Sequence, residues 1–326
     1  SPIIKRFGNI PCSKNHSRLT FGGQAGFPSI TATDTLYIQK DANLKSFVFD
    51  LYNRQLANDN FNFISKLDIS GCTSINLMLG FNFKFNQNLN GLVLTNSITN
   101  MAGMLNLCSS WNNSYSPGVP NILTWNFSVL NSTTSLQELF RGTSQMNVRI
   151  TTPVTFPRNL KYLFLGCHNF NNGYPIGEPA YINDWDVTQV LDAHGMFAGC
   201  RNLRADLSEL QFTRCNIFTS FIEGCHNIDF DLGNVIRTAT ERHGIRLNNC
   251  IKDSGLSVEN YSKFLIAIYE ITIENSNNLL WFSRGHRYWS IDQYYNTLAI
   301  DARNYLITLP IDPSYTYHIT DRGPDP

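Results

Sequence analysis

A short apolar motif recurs along this chain at steps of 26, 35, 24, 33, 25 and 25 residues. A unit of that size cannot bury its own apolar face, so it must stack against copies of itself. Its clearest copy runs from Trp185 to Leu207, with Cys200 as the marker. Marker positions fall at Asn82, Cys108, Thr143, Cys167, Cys200, Cys225 and Cys250. Three residues before them stand Leu79, Leu105, Phe140, Phe164, Phe197, Ile222 and Leu247. Four before come Met78, Met104, Leu139, Leu163, Met196 and Phe221, with a misfit at Arg246. Seven before come Ile75, Met101, Leu136, Leu160, Ala193 and Phe218, and three after come Phe85, Trp111, Met146, Phe170, Leu203 and Ile228. An Asn or Asp follows in five copies: Asn86, Asn112, Asn147, Asn171 and Asp229.

The spacing from Ala193 through Met196, Phe197 and Cys200 to Leu203 predicts a short amphipathic helix. Trp185, Val187 and Val190 before it read as extended. The repeat therefore predicts a single right-handed α/β solenoid of about seven turns, with short parallel strands on one side and one- to two-turn helices on the other. Phe140, Phe164, Phe197 and Ile222 should form one buried column.

The run Trp-Asp-Val-Thr-x-Val followed by Met-Phe-x-x-Cys at 185–200 resembles the repeat of BspA-like leucine-rich-repeat surface proteins. Fainter copies begin at Asp68, Ser97 and Trp125. The closing segment also resembles that family's, in Glu259-Asn-Tyr261 with Leu265, in Ala302-Arg303-Asn-Tyr-Leu306, and in Ile319-Thr-Asp-Arg-Gly323. The resemblance spans residues 65–325 and implies a BspA-type leucine-rich-repeat array with N- and C-terminal caps. Asn82 and Thr143 depart from it by replacing Cys, and the final copy lacks Met-Phe.

Three regions follow. Residues 1–64 lack the repeat and read as an N-terminal cap or anchor segment, with strands at Thr35–Gln39 and Phe47–Leu51 and a loop at Phe21–Pro28. Residues 65–254 are the solenoid. Residues 255–326 read as a helical cap with a final strand at Tyr315–Ile319. In that cap Ser257 caps one helix facing inward with Tyr261, Phe264, Leu265 and Ile268, and Ser290 with Gln293 forms a capping box for a second. Trp281, Tyr288, Trp289, Tyr294 and Tyr295 would cover the last turn.

The 326 residues carry no net charge and only 15% charged side chains. No basic run exists to neutralise phosphates, which argues against a nucleic-acid partner. No stretch of about 18 apolar residues is present to span a membrane. The chain opens on Ser1-Pro2 without a signal-peptide pattern, which reads as a processed chain or a fragment. The eight cysteines include no Cys-x-x-Cys pair. Neighbouring repeats lie about 4.8 Å apart, so a disulfide column is geometrically open; buried free thiols at Cys167, Cys200, Cys225 and Cys250 are the favoured alternative.

No nucleophile motif, phosphate loop or His-Glu-x-x-His helix is present, so the expectation is a non-enzyme without cofactor or metal. Asp68, Asp186, Asp206 and Asp231 recur at repeat positions and read as turn-capping residues, and His168 and His226 read as surface residues. Sequons at Asn15, Asn112, Asn126, Asn131 and Asn260 matter only in a eukaryotic secretory pathway.

Two stretches interrupt the period, 113–121 and 172–181. Both leave the repeat at the same phase, so they should build one surface ridge. Tyr115, Tyr174, Tyr181 and Glu178 are the candidate binding residues there. The resemblance implies a recognition or adhesion module on a bacterial cell or virion surface, a phage-borne member included, whose partner is a host protein or glycan. The alternative is a structural virion or surface-layer subunit packed on neighbouring chains.

Overall fold

The computed structural model describes residues 4–6, 35–37, 67–151, 154–182, 184–239, 245–274, 287–290, 297–308 and 317–324. Every strand pair among them is parallel. β1 (Ile4–Arg6), β2 (Thr35–Tyr37) and β3 (Leu67–Asp68) form one three-stranded sheet in that order. Its partners are spaced 31 residues apart, Ile4 with Thr35 and Leu36 with Leu67. The N-terminal segment thus pairs in the same sense as the repeats that follow. The strand expected at Phe47–Leu51 and the loop at Phe21–Pro28 lie outside the described residues. β4 (Ile122–Leu123) pairs with β5 (Arg149–Ile150), and β6 (Val154–Thr155) with β7 (Trp185–Asp186).

A ladder of single parallel bridges joins the repeats, from Ser74 through Asn100, Ser135, Asn159, Asp192 and Ile217 to Arg246. Between bridges the amides divide by parity. Those of Ala193, Gly195, Phe197 and Gly199 donate to carbonyls of the next repeat, at Ile217, Thr219, Phe221 and Glu223, over 2.7–3.1 Å. Those of Met196, Ala198 and Cys200 close turns three residues back, to Ala193, Gly195 and Phe197, over 2.9–3.2 Å. Half of each motif is therefore bonded sideways, as a strand is, and half is bonded within itself.

That arrangement corrects the expected amphipathic helix at Ala193–Leu203 and its counterparts. Two residues per motif have left-handed backbone angles, five and one before the marker. The first set is Leu77, Gly103, Glu138, Tyr162, Gly195 and Ser220; the second is Phe81, Leu107, Gly142, Gly166, Gly199 and Gly224. A right-handed helix accommodates neither, and a non-glycine there costs roughly 1–2 kcal/mol, offset by the bonds between repeats. At Gly199, with φ of 72°, an added Cβ would lie 3.5 Å from the Gly166 backbone. The turns still send Ala193, Met196, Phe197, Cys200 and Leu203 into the core, where all five are buried.

The last repeat is displaced from its expected register. The amides of Phe218, Ser220, Ile222 and Gly224 donate to Arg246, Asn248, Cys250 and Lys252 over 2.7–2.9 Å, and Asn249 and Asp253 take the left-handed angles. The seventh marker is therefore Ser254, not Cys250. Leu247, Cys250 and Ile251 continue the columns of Ala193, Met196 and Phe197. Arg246 was a misfit because it occupies the bridge position.

Inside the ladder the aromatic rings stack. Phe140 and Phe164 have centroids 5.5 Å apart and planes 6° apart; Phe164 and Phe197 repeat this at 5.7 Å and 6°. Trp111 extends the stack beyond Phe140 at 5.9 Å, and Trp185 flanks Phe164 and Phe197 at 6.0 and 6.5 Å. Ile222, next in the column, is buried as well.

The marker thiols have defined partners. The Sγ atoms of Cys108, Cys167, Cys200 and Cys225 donate to the carbonyls of Leu79, Phe140, Phe164 and Phe197 of the preceding repeat, at 3.1, 2.9, 3.2 and 3.0 Å. Asn82 and Thr143, which stand where Cys would, donate to the same carbonyl column at Leu79 and Phe140. The position thus calls for a small donor that tolerates burial. Burial pushes the Cys167 and Cys225 thiols up to about 12. A thiol that stays protonated when folded but ionises near pH 9 when unfolded stabilises the fold fully below pH 9 and loses that contribution as pH rises toward 12. Melting temperature is expected to fall as pH is raised from about 9 toward 12, and native-state alkylation should leave Cys167, Cys200 and Cys225 unlabelled until denaturant is added. Disulfide-linked peptides from this column in a non-reducing digest would overturn the assignment.

Beyond the ladder, α1 (Leu232–Thr238) is capped by Asp231, whose carboxylate accepts the Asn234 amide at 2.9 Å. α2 (Val258–Glu274) starts after Ser257, whose hydroxyl accepts the Asn260 amide at 3.3 Å, and it buries Tyr261, Phe264, Leu265 and Ile268. The second cap helix, α3 (Ile300–Thr308), follows a 3-10 turn at Thr297–Ala299. Ser290 ends β8 (Arg287–Ser290), and the capping box expected between it and Gln293 falls on residues outside the described ones. Gln293, Trp281, Tyr294 and Tyr295 lie outside the described residues. β8 pairs with β9 (Tyr317–Thr320), close to the final strand expected.

Candidate functional site

The asparagine column is what builds the site. The side-chain carbonyl of each of these residues accepts a backbone amide of the following repeat. Asn86 takes Asn112 at 2.7 Å, Asn112 takes Asn147 at 2.8 Å, Asn147 takes Asn171 at 2.9 Å, and Asn171 takes Arg204 at 2.9 Å. Asp229 closes the series by accepting Ser257 at 2.9 Å. The column was visible in the sequence as an Asn or Asp after the apolar residue, but its role as a bonded ladder was not.

Both inserts grow from this column and are joined through it. At the first, the Asn121 amide group donates to Asn112 Oδ1 at 2.8 Å and to the Asn147 carbonyl at 3.0 Å. At the second, Asn147 Nδ2 donates to the Tyr174 carbonyl at 2.8 Å, and Asn147 Oδ1 accepts the Gly173 amide at 2.9 Å. Asn171 then fastens the loop by donating to the Pro175 and Glu178 carbonyls at 3.0 and 2.9 Å, and Asn172 reaches the Tyr181 carbonyl at 2.9 Å. The Arg204 guanidinium bonds the Gly177 carbonyl at the loop tip. Gly173 is required here: at φ of 75° its Cβ would sit 2.5 Å from the Arg149 Cβ.

The four expected binding residues share this surface but differ in availability. Tyr115 and Tyr181 are about half exposed and Glu178 is exposed. Tyr174 is not open in the expected way. Its ring is half-buried against the core, with the Arg149 guanidinium 5.3 Å from the ring centre. Reasoning from sequence missed Arg149, Arg204 and the aliphatic residues Val119 and Ile176, which are among the most exposed large apolar side chains described.

Among the repeated carboxylates, Asp186 and Asp206 cap turns and Asp231 caps α1, while the Asp68 side chain lies outside those described. Asp186 Oδ1 accepts the Thr188 amide and hydroxyl at 3.0 and 2.6 Å, and Asp206 accepts the Ser208 amide at 2.9 Å. Burial works to raise the Asp186 carboxyl, but its bonds from Thr188 and Thr155 outweigh that and hold it below the usual range. A carboxylate so occupied is a poor general acid or base. His168 and His226 are exposed. Among the described residues no group of three or more His, Cys, Asp or Glu is placed to hold a metal ion, and no helix is long and apolar enough to cross a membrane.

No curated protein and no solved structure matches the chain. A family model described as "Mycoplasma protein of unknown function, DUF285" matches it twice, over residues 46–117 and 117–235. These segments meet at residue 117 and cover more than half of the length, with the first insert across their junction and the second inside the latter segment. The chain belongs to this family, a BspA-like family of repeat surface proteins.

Proposed function

We propose that this chain is a non-enzymatic recognition or adhesion module displayed on a cell or virion surface, built as a BspA-type solenoid of about seven turns that presents the 113–121 and 172–181 inserts to a host protein or glycan. The parallel bridge ladder and the unbroken core support the solenoid reading. The observation that carries the function is the asparagine network joining both insert bases, because it turns two loops into one pre-ordered surface. Loops fixed before binding lose little entropy on contact, and half-exposed tyrosines supply large contact area with few rotors. The step from repeat family to binding role is made on this surface and not on fold alone.

The test is attachment of fluorescently labelled full-length chain to cultured cells, immobilised glycans and extracellular-matrix proteins. Saturable binding to at least one of these surfaces is expected, with a loss of about tenfold or more when Tyr115→Ala and Tyr181→Ala are combined. Tyr174 is left intact because its ring supports the loop. Attachment that survives the double substitution would remove the ridge from the reading.

A further inference from the structure

We propose that the ridge takes a protein partner, not a glycan, and that the contact on that partner is an apolar anchor flanked by a lysine or arginine. This inference rests on the recognition reading above and specifies its ligand. Four of the exposed large apolar side chains, Tyr115, Val119, Ile176 and Tyr181, stand on the two inserts whose bases the asparagine network joins, and Val93 stands on the segment bonded to the end of the first; all five are between 47% and 69% exposed. The Val93 segment is tied to the first insert through Asn90, which accepts the Thr124 amide at 3.1 Å. A patch of this kind, with loops pinned beneath it, marks an interaction surface more than a solvated face.

The chemistry of the flank separates the two ligand classes. Sugars are held by aromatic faces together with free planar polar groups that bond ring hydroxyls. Here the amide groups of Asn121, Asn147, Asn171 and Asn172 and the side-chain carbonyl of Asn112 are committed to the network, which leaves the Glu178 carboxylate as the exposed planar acceptor beside the tyrosines. Val93, Val119 and Ile176 offer neither a ring face nor a hydrogen bond, but they suit the apolar centre of a protein interface.

Charge then narrows the partner. Segments 87–94, 112–124 and 172–182 contain a single charged residue, Glu178. The neighbouring cations are engaged, Arg149 over the Tyr174 ring and Arg204 on the Gly177 carbonyl. Glu178 has no side-chain partner among the described residues and stands exposed two residues from Ile176. A cation beside an apolar anchor complements that pair, and it favours correct encounter over wrong partners.

A phage-displayed random peptide library panned on immobilised full-length chain tests this, with a glycan panel run in parallel. Enriched peptides should combine an aromatic or aliphatic residue with Lys or Arg. Synthetic copies should lose about tenfold or more in affinity on Ile176→Asp and about fivefold on Glu178→Lys, the latter with a weaker salt dependence. Near-ultraviolet circular dichroism and melting of each variant should match the parent, since both side chains are exposed. Enrichment of acidic peptides overturns the inference. Glycan binding that is lost with Tyr115→Ala and Tyr181→Ala, without peptide binding, overturns it too but leaves the recognition reading standing. Absence of any peptide or glycan whose binding responds to these four substitutions overturns both.

Discussion

Replacing Phe197 by alanine is expected to cost about 3–5 kcal/mol. The ring lies between Phe164 at 5.7 Å and Phe221 at 5.6 Å, with Trp185 at its side, and none of it reaches solvent. Its truncation leaves a cavity whose walls are held by bonds between repeats and so cannot collapse. Phe197→Leu keeps most of the volume and should cost less than about 1.5 kcal/mol. Phe83→Ala, at a ring 57% exposed, should stay within about 0.5 kcal/mol. Repeat arrays can lose all-or-none behaviour, so hydrogen exchange of the amides from Ala193 to Gly199 should accompany chemical denaturation. A loss below about 1 kcal/mol for Phe197→Ala would show that the ring column is not the core. Phe164→Ala shares that cavity, so the double variant should deviate from additivity.

Asp321→Ala should cost a similar amount, about 3–5 kcal/mol, by a different route. The Asp321 carboxylate is fully buried and accepts Arg303 Nε at 2.9 Å and Arg303 Nη2 at 3.0 Å. The Tyr261 hydroxyl donates to it at 2.7 Å and the Gly323 amide at 3.3 Å. One carboxylate thus ties α2, α3 and the segment after β9. Its removal strands a largely buried guanidinium, which is why breaking the pair costs far more than the pair contributes beyond a well-packed apolar substitute. Tyr261→Phe removes only one charge-assisted bond and should cost about 1.5–3 kcal/mol. Arg303→Lys should rank between them, because an ammonium cannot reproduce the forked contact. Limited proteolysis should reveal the effect as cleavage after residue 250 while the repeats remain protected. Equal resistance in Asp321→Ala and the parent would rule out this closure.

Tyr261, Arg303 and Asp321 also show how much was legible beforehand. Each stood in a closing segment singled out for its resemblance to BspA-like proteins, but nothing in a linear pattern brings residues 18 and 60 positions apart onto one carboxylate. Ser257 as a cap was readable because a cap and its helix are neighbours in sequence. That Ser290 ends a strand was not readable for the complementary reason: its partner strand, β9, lies far along the chain.

The candidate site divides the same way. The inserts at 113–121 and 172–181 were identifiable from broken period and turn composition. Tyr115, Tyr181 and Glu178 are exposed, as surface loops dictate. Tyr174 could not be told apart from them, because its burial depends on Arg149, which arrives from the intervening repeat.

For the repeat itself, apolar periodicity determined which side chains face inward, since burying Met196, Phe197 and Cys200 together is demanded by any fold that hides them. It did not determine the backbone. A helix and a chain of left-handed-punctuated turns place the residues seven, four, three and zero positions from the marker on the same side, and composition alone cannot separate them. The choice was made by the neighbouring repeat. Amides at Ala193, Gly195, Phe197 and Gly199 find carbonyls in the next repeat, and those bonds replace the intrahelical ones a lone segment would need. The same neighbour set the last register. Cys250 matched the marker by residue type, but the hydrogen bonds from Ile222 and Gly224 place Ser254 there, because a bonded ladder fixes position by geometry where a side-chain pattern fixes it only by kind.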